Sequence, residues 1–530
     1  MREGFIYMPE LSAGELNIHK ELPPEKETTK NLEIDIIANA AIAKGAGGLA
    51  NAMVAVSESK DLVGSKIISF GLDKNTVEKD HELEGPQEII GLMKKNGPIE
   101  SYSIPATKEE YHAHYADIAN NWLWPILHNM PENIHGEFSY DNWSLHDRVN
   151  ERFAETYAEY VKQKPSENRV AWIHDYHLTL LAPKLREKGV DVPMGFFLHI
   201  PFPNREMFKT LPEQIQKDGE PTRYPRREVL NGLLANDVVG FQTKKDASNF
   251  LGCVDEEFGL THEDVTRTEN GYLLNWQGRK VTIESYPISI DPLAIKETIA
   301  SEETQSKVKE LQDKFKDKTL IVDASRLDPT KGIIPQLDSY DELLQILEKK
   351  DPELLDKMLF VRIVAPSRES VPAYAKLKEE MLEKVKNINE KYASRGKGKK
   401  VLLSYESVPN SEVLALFEQD NTVVAFVATE IDGMNLVAKE AASVGNKKLR
   451  VIVGKGAGAA PEMKGSALIP EVSRDENAVK SLSRVLYAAL TMPDERAERW
   501  KKSLENQVSE NDVGKWGSNF LNTVLSYRKS

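Results

Sequence analysis

The chain has 530 residues, 40% of them hydrophobic and 29% charged, and a formal charge of −14. Single hydrophobic cores stop growing near ~250–300 residues, so more than one domain is expected. The acidic balance and the lack of a long basic tract exclude nucleic-acid binding as the main activity, and a lone cysteine, Cys253, excludes an intrachain disulfide or a Cys-based zinc cluster.

Residues 1–30 are polar and charged, carry Pro23 and Pro24, and read as an extension outside the fold, partly disordered. They lack the sustained apolar core of a secretory signal. The longest apolar stretches fall far below the ~20 residues of a membrane span, so a cytoplasmic protein with no membrane partner is expected. From Ile34 onward, short apolar runs alternate with amphipathic segments. The runs at 34–38, 170–174, 193–200, 237–242, 320–325, 359–365, 422–428 and 450–454 predict buried strands. Continuous apolar runs of this length suit parallel strands covered on both faces. Helical spacing over 148–161 and 413–419 fills two of the gaps, and the alternation predicts α/β architecture. The turn-rich segment 285–292 predicts a linker between an N-terminal domain (31–290) and a C-terminal domain (291–510). A last helical segment, 511–530, is expected to pack back on the first domain. No fixed-period repeat is present.

Polar clusters follow several of these strands, where open α/β sheets bind ligands. The glycines of Gly45-Ala46-Gly47-Gly48-Leu49 would let backbone approach a phosphate or sugar, or make a plain strand–helix turn. The segment 172–183 holds two histidines and Asp175. It offers no third and fourth ligand at metal spacing, so no metal site is expected. Asp175 either accepts hydrogen bonds from ligand hydroxyls or caps the following helix. After strand 320–325 come Arg326 and Lys331, and after strand 359–365 comes Arg368. Three cations at two neighbouring strand ends would suit a diphosphate, where each alone would be a solvated surface charge. Asp432-Gly433-Met434-Asn435 would open a helix with free N–H groups, placing Asp432 and Glu440 on one helix face.

Taken in order, GGLA (47–50), LWP (123–125) with His128, WIHDYHL (172–178), GFFLHIPFP (195–203), RLDPTKG (326–332) and DGMNLVAKE (432–440) resemble the trehalose-6-phosphate synthase family. These are retaining glycosyltransferases of GT-B architecture, two facing Rossmann-like domains with a cleft between them. The resemblance runs from about Ile34 to the C-terminal region. It implies transfer of glucose from a nucleoside-diphosphate glucose to a phosphorylated acceptor, most directly glucose 6-phosphate, without cofactor or required metal. It implies that Arg326 and Lys331 hold the donor diphosphate, with Gly47 and Gly48 also on the donor side. The stretch Asp432, Gly433, Met434, Asn435, Leu436 and Val437 would hold glucose and diphosphate through backbone, and Glu440 the ribose hydroxyls. His199 would lie beside the donor sugar, and Tyr115, Trp124, Asp175 and Arg368 would form the acceptor site, Arg368 facing its phosphate. The implied mechanism is front-side, the leaving phosphate helping to deprotonate the incoming hydroxyl. A two-carboxylate route through Asp175 and Asp432 fits less well beside a cationic pair.

Three positions depart from the family. Where it carries an arginine for acceptor phosphate, this chain reads Ala38-Asn39-Ala40. A tryptophan expected after the second strand is missing near Phe70, and Glu430-Ile431 replaces Leu-Arg before DGMN. Losing one charge-assisted bond to phosphate costs about 1.5–3 kcal/mol. Relatives using glycerol 3-phosphate, to which LWPILHN (123–129) and YDNW (140–143) are also similar, therefore remain open. So do a cyclitol-joining pseudo-glycosyltransferase and a catalytically silent regulatory homologue. The donor base and the oligomeric state, a homo-oligomer included, are not fixed by the sequence.

Overall fold

The computed structural model of the protein describes residues 32–40, 52–53, 56, 65–72, 87–94, 97–368 and 371–528. The expected extension at 1–30 and the loop with Gly47 and Gly48 lie outside the described residues.

The first sheet begins with β1 (Glu33–Ala40), β2 (Lys66–Leu72), β3 (Gln87–Lys94), β4 (Gly97–Ile104), β5 (Arg169–His174) and β6 (Met194–Phe197). After a hairpin of β7 (Ile215–Lys217) and β8 (Glu220–Arg223), it continues with β9 (Val238–Phe241), β10 (Val265–Arg267), β11 (Gly271–Trp276) and β12 (Arg279–Ser285). Its order is β10-β11-β12-β9-β6-β5-β1-β2-β4-β3. The run from β12 to β4 is parallel, while β3, β10 and β11 join antiparallel at the edges. The second sheet holds β13 (Thr319–Arg326), β14 (Met358–Ala365), β15 (Val401–Ser404), β16 (Thr422–Val427) and β17 (Arg450–Val453). It is wholly parallel, in the order β15-β14-β13-β16-β17. All six residues of β5 and all four of β6, β9 and β17 are buried, because helices cover both faces. Each predicted strand is present, with ends shifted by at most three residues. Strand order reverses at β1 and at β13, and a crevice opens at the carboxyl ends beside such switch points.

Helix α1 (Tyr140–Gln163) covers β2 and β4. It starts eight residues before the predicted 148–161, because Ser139 caps it by accepting a hydrogen bond from the Asn142 N–H at 3.1 Å. Trp143, Val149, Phe153, Tyr157 and Tyr160 form its buried face. In the second half of the chain, α2 (Leu436–Ser443) follows β16. The last helix, α3 (Val513–Leu525), returns to the first sheet and packs on β5, β6 and β9. Its seat needs two strand glycines: a Cβ at Gly195 or Gly240 would lie 2.6 Å from the Phe520 ring. Phe520 stacks on Trp172 of β5 at 4.8 Å between ring centroids, and Trp516 packs on the same ring at a tilt, 5.0 Å away. No helix among the described residues is long and apolar enough to cross a membrane.

Candidate active site

The carboxyl ends of the two sheets meet. On the second sheet, β13 delivers Arg326 and then the turn Leu327–Gly332. Asp328 holds this turn by accepting from the Thr330 N–H at 3.0 Å and hydroxyl at 2.6 Å. Gly332 closes it at φ 62°, where a Cβ would lie 2.6 Å from the Ala428 carbonyl. The turn grips the loop after β16, since the Thr330 carbonyl accepts from Glu430 N (2.9 Å) and Ile431 N (3.2 Å). Beneath it, Gln336 donates to the carbonyls of Lys331 and Ala428, both at 3.0 Å. Gln336 in turn accepts from Arg362 at 2.9 Å, and Arg362 pairs with Asp323 in the core. This buried polar layer fixes the backbone that carries Lys331. The Lys331 ammonium pairs with the Asp432 carboxylate. Burial works to raise the Asp328 carboxyl, but Lys331, Arg326 and its Thr330 hydrogen bond outweigh that and hold it below its usual value.

Asp432 does not share a helix with Glu440, contrary to the sequence expectation. Residues 432–435 form a loop, and α2 starts only at Leu436, because Asn435 at φ 80° caps it by accepting from Ala438 N. The loop is backed by Gly454–Gly458, directly after β17. Asp432 N donates to the Gly456 carbonyl (3.1 Å), and Gly458 N donates to the Asp432 carbonyl (3.0 Å). Cβ atoms at Gly454, Gly456 and Gly458 would lie 1.8–1.9 Å from carbonyls of the facing loop. These residues were not singled out from the sequence, although their alternate glycines are a readable sign of close backbone approach. Met434 is buried, and Leu436 and Val437 pack at the first turn of α2. Glu440 accepts from Asn410 at 3.3 Å, and burial pushes its carboxyl up to about 7.

On the first sheet, Asp175 follows β5 at φ 72°, ψ 166°. It does not cap the next turn with its side chain; Oδ1 accepts from the His199 N–H at 3.4 Å. Burial raises its carboxyl to about 6, against the opposing pull of backbone N–H groups, Arg368 and Arg326. His199, after β6, shares a 2.9 Å hydrogen bond between its Nε2 and His174 Nδ1. Burial lowers His199 to about 3 and His174 well below its usual value, so both rings are neutral near pH 7. Tyr115 belongs to a π-helical segment, Ala113–Leu123, and its ring stacks on His177.

Arg368 joins the halves. It donates to the Tyr374 hydroxyl at 2.9 Å, approaches the Tyr176 hydroxyl at 3.5 Å and lies 5.4 Å over the Trp124 ring. Tyr176 donates to Asn120 at 2.9 Å, and Asn120 donates to the Tyr115 carbonyl. His128 packs at a tilt on Trp124, 4.2 Å between ring centroids, and donates to its carbonyl at 2.8 Å; burial lowers it to about 4, and it senses Asp328, Asp432 and Lys331. Backbone contact closes the junction: a Cβ on Gly433 would lie 2.0 Å from the His199 carbonyl. Arg326, Lys331, Arg368, Asp175, His199, Trp124 and Asp432–Asn435 therefore share one junction. Tyr115 is reached through Asn120 and Tyr176, and Glu440 stands farther along α2. Tyr176, Tyr374 and Asn120 were given no role from the sequence, and His128 entered only as part of a family string; the Tyr176 contacts with Asn120 and Arg368 cross between distant segments that share no spacing. Ala40 is exposed at the end of β1, beside Asn39, which bonds His114 at 3.0 Å. Phe70 is wholly buried against Tyr102 and Tyr157, in the core. Among the described residues no His, Cys, Asp and Glu cluster has the makings of a metal site.

The model of "Glycosyltransferase family 20" matches residues 18–525. A UDP-forming alpha,alpha-trehalose-phosphate synthase of Candida albicans is 31% identical over 417 residues, 77% of this chain and 79% of that one. The corresponding synthase A of Dictyostelium discoideum is 32% identical over 411 residues; the match spans about half (51%) of that longer relative. Among solved structures, a Burkholderia xenovorans synthase in complex with glucose-6-phosphate superposes with TM-score 0.78 at 26% identity, covering 93% of this chain and 99% of that one. The E. coli protein bound with UDP-2-fluoro glucose gives 0.78 at 27%, covering 93% and 98%. The fold is thus GT-B, and the chain belongs to glycosyltransferase family 20.

Proposed function

We propose that the chain transfers glucose, with retention of configuration and in the cytoplasm, from UDP-glucose to glucose 6-phosphate, giving trehalose 6-phosphate and UDP. The observation that carries this reading is the meeting of Lys331, Arg326 and Arg368 with Asp175 and His199 at one junction between the sheets. Lys331, oriented by Asp432, and Arg326 neutralise charge gathering on the leaving diphosphate, the largest electrostatic demand of the step. Backbone of 432–437 and Gly454–Gly458 line the donor side, with Glu440 accepting from ribose hydroxyls. The neutral His199 hydrogen-bonds the donor sugar. Arg368, held by two tyrosines and Trp124, takes the acceptor phosphate, and Asp175 accepts from the acceptor's hydroxyls. The printed ligands of the two solved relatives, glucose-6-phosphate and UDP-2-fluoro glucose, support this pair of substrates.

Ala40 favours one second reading. Alanine in place of the family's arginine there points away from glucose 6-phosphate, and the strings LWPILHN (123–129) and YDNW (140–143) turn the reading to glycerol 3-phosphate. The test is the product. Purified chain is supplied with UDP-glucose and each acceptor, and the anomeric protons are followed by NMR. An α,α-linked disaccharide phosphate from glucose 6-phosphate alone is expected. A glucosylglycerol phosphate alone would move the assignment to the second reading, and a β-linkage would refute retention.

A further inference from the structure

At the amino ends of β5, β6, β9 and β12, opposite the junction, lies a cavity of about 850 Å³ whose lining includes Arg186, Asp237, Arg279, Tyr527 and Arg528. Arg186 donates two hydrogen bonds to Asp237, both at 2.9 Å, and Arg279 donates a third at 2.8 Å. The same carboxylate also accepts from Met194 N at 2.8 Å. One carboxylate thus serves two guanidiniums. Arg528, three residues beyond α3, adds another: its Nε and Nη2 are buried and have no hydrogen-bond partner among the described residues. The tail that carries it is fixed by the Tyr527 hydroxyl, 2.7 Å from the Thr282 hydroxyl. Arg169, also in the lining, is matched by Asp35 and Glu33, and Glu167 and Asp191 stand on the exposed rim.

Three guanidiniums face the single inner carboxylate of Asp237 in a cavity with room for a small ester, while Glu167 and Asp191 stay on its exposed rim. Buried donors are seldom left unpaired, and guanidinium forks match phosphate oxygens two at a time. We propose that this cavity binds a phosphate-bearing dianion through Arg528, Arg279 and Arg186, at a site separate from the cleft. The chemistry is common to inorganic phosphate, pyrophosphate and sugar phosphates, and the test separates them.

Because the cleft would also take phosphate, the background is the full chain with Arg326→Ala, Lys331→Ala and Arg368→Ala. Inorganic phosphate, pyrophosphate and glucose 6-phosphate are each titrated by calorimetry. At least one is expected to bind with one site per chain, and the strongest names the source. Adding Arg528→Gln is expected to weaken that binding at least tenfold while the ligand-free melting temperature stays unchanged. Arg279→Gln should weaken it as well but also lower the ligand-free melting temperature, because Arg279 bonds Asp237 and the Ala235 and Asn236 carbonyls, and Arg528→Lys should keep part of the binding. Absence of saturable binding by all three anions, or binding unaffected by both glutamine variants, would overturn the proposal.

Discussion

Asp175 sits at φ 72°, ψ 166°, a region almost confined to glycine, and its carboxyl is buried beside the His199 N–H. Such backbone costs about 1–3 kcal/mol and persists only where the surroundings enforce it. Asp175→Gly is therefore expected to raise the melting temperature and to abolish turnover together. A drop in melting temperature would show that the Asp175 side chain serves the fold instead. Two other residues of the junction, Arg368 (φ 47°) and Asn435 (φ 80°), also lie at positive φ. Glu440 gives a pH prediction. Its carboxyl is raised to about 7, so the ionised form that accepts ribose hydrogen bonds is populated only as pH climbs past neutrality. The Michaelis constant for the donor should fall between pH 6 and pH 8, and Glu440→Gln should flatten that dependence. The stability sign is opposite: a raised carboxyl stabilises the fold below its ordinary pKa and loses that contribution as pH rises through about 7. Glu440→Gln should accordingly be more stable than the parent at pH 8, measured by thermal melts. Arg326, Lys331 and Arg368 were legible because cations follow predicted strands. Asp432 and Glu440 were misjudged as one helix face because Asn435 resets the helix start, a backbone event that spacing does not reveal.

The strands were readable because both faces of each sheet are covered, which leaves unbroken apolar runs such as VAWIH in β5. Less legible was the π-helical segment Ala113–Leu123, whose composition is ordinary for an α-helix. The start of α1 escaped the periodicity because Asp141, Asn142, Ser144, His146 and Asp147 interrupt the apolar residues of its first two turns. Helix α3 matters more than its position at the end of the chain implies. Trp516 and Phe520 pack on Trp172, Trp172 lies 4.8 Å from His174, and His174 bonds His199. Trp516→Ala removes a nearly buried indole from this stack, and its loss should cost about 3–5 kcal/mol in denaturant unfolding. It should also lower kcat in the fraction that remains folded, because His199 loses its backing. An unchanged kcat in folded protein would uncouple α3 from the site.

The candidate site lies where the carboxyl ends of the two sheets touch, and Gly433 sits so close to the His199 carbonyl that an added Cβ would lie 2.0 Å from it. Both partners there are backbone, so neither can swing aside. Gly433→Ala should hold the halves apart, lowering kcat/KM at least tenfold and stability by about 1–3 kcal/mol. Wild-type kcat/KM in that variant would mean that the junction seen here is not the one that reacts. At this scale the sequence resemblance carried the two-sheet architecture and the facing site. It did not carry the cross-sheet contacts of Arg368 with Trp124 and Tyr176, since residues far apart in the chain have no shared spacing. The most direct measurement is the rate of UDP release from UDP-glucose by the purified chain with and without glucose 6-phosphate, using Lys331→Ala as control. Strong stimulation by glucose 6-phosphate, lost in Lys331→Ala by a factor of about 10²–10³, is predicted. Release that is absent, indifferent to glucose 6-phosphate, or unchanged by Lys331→Ala would contradict the account.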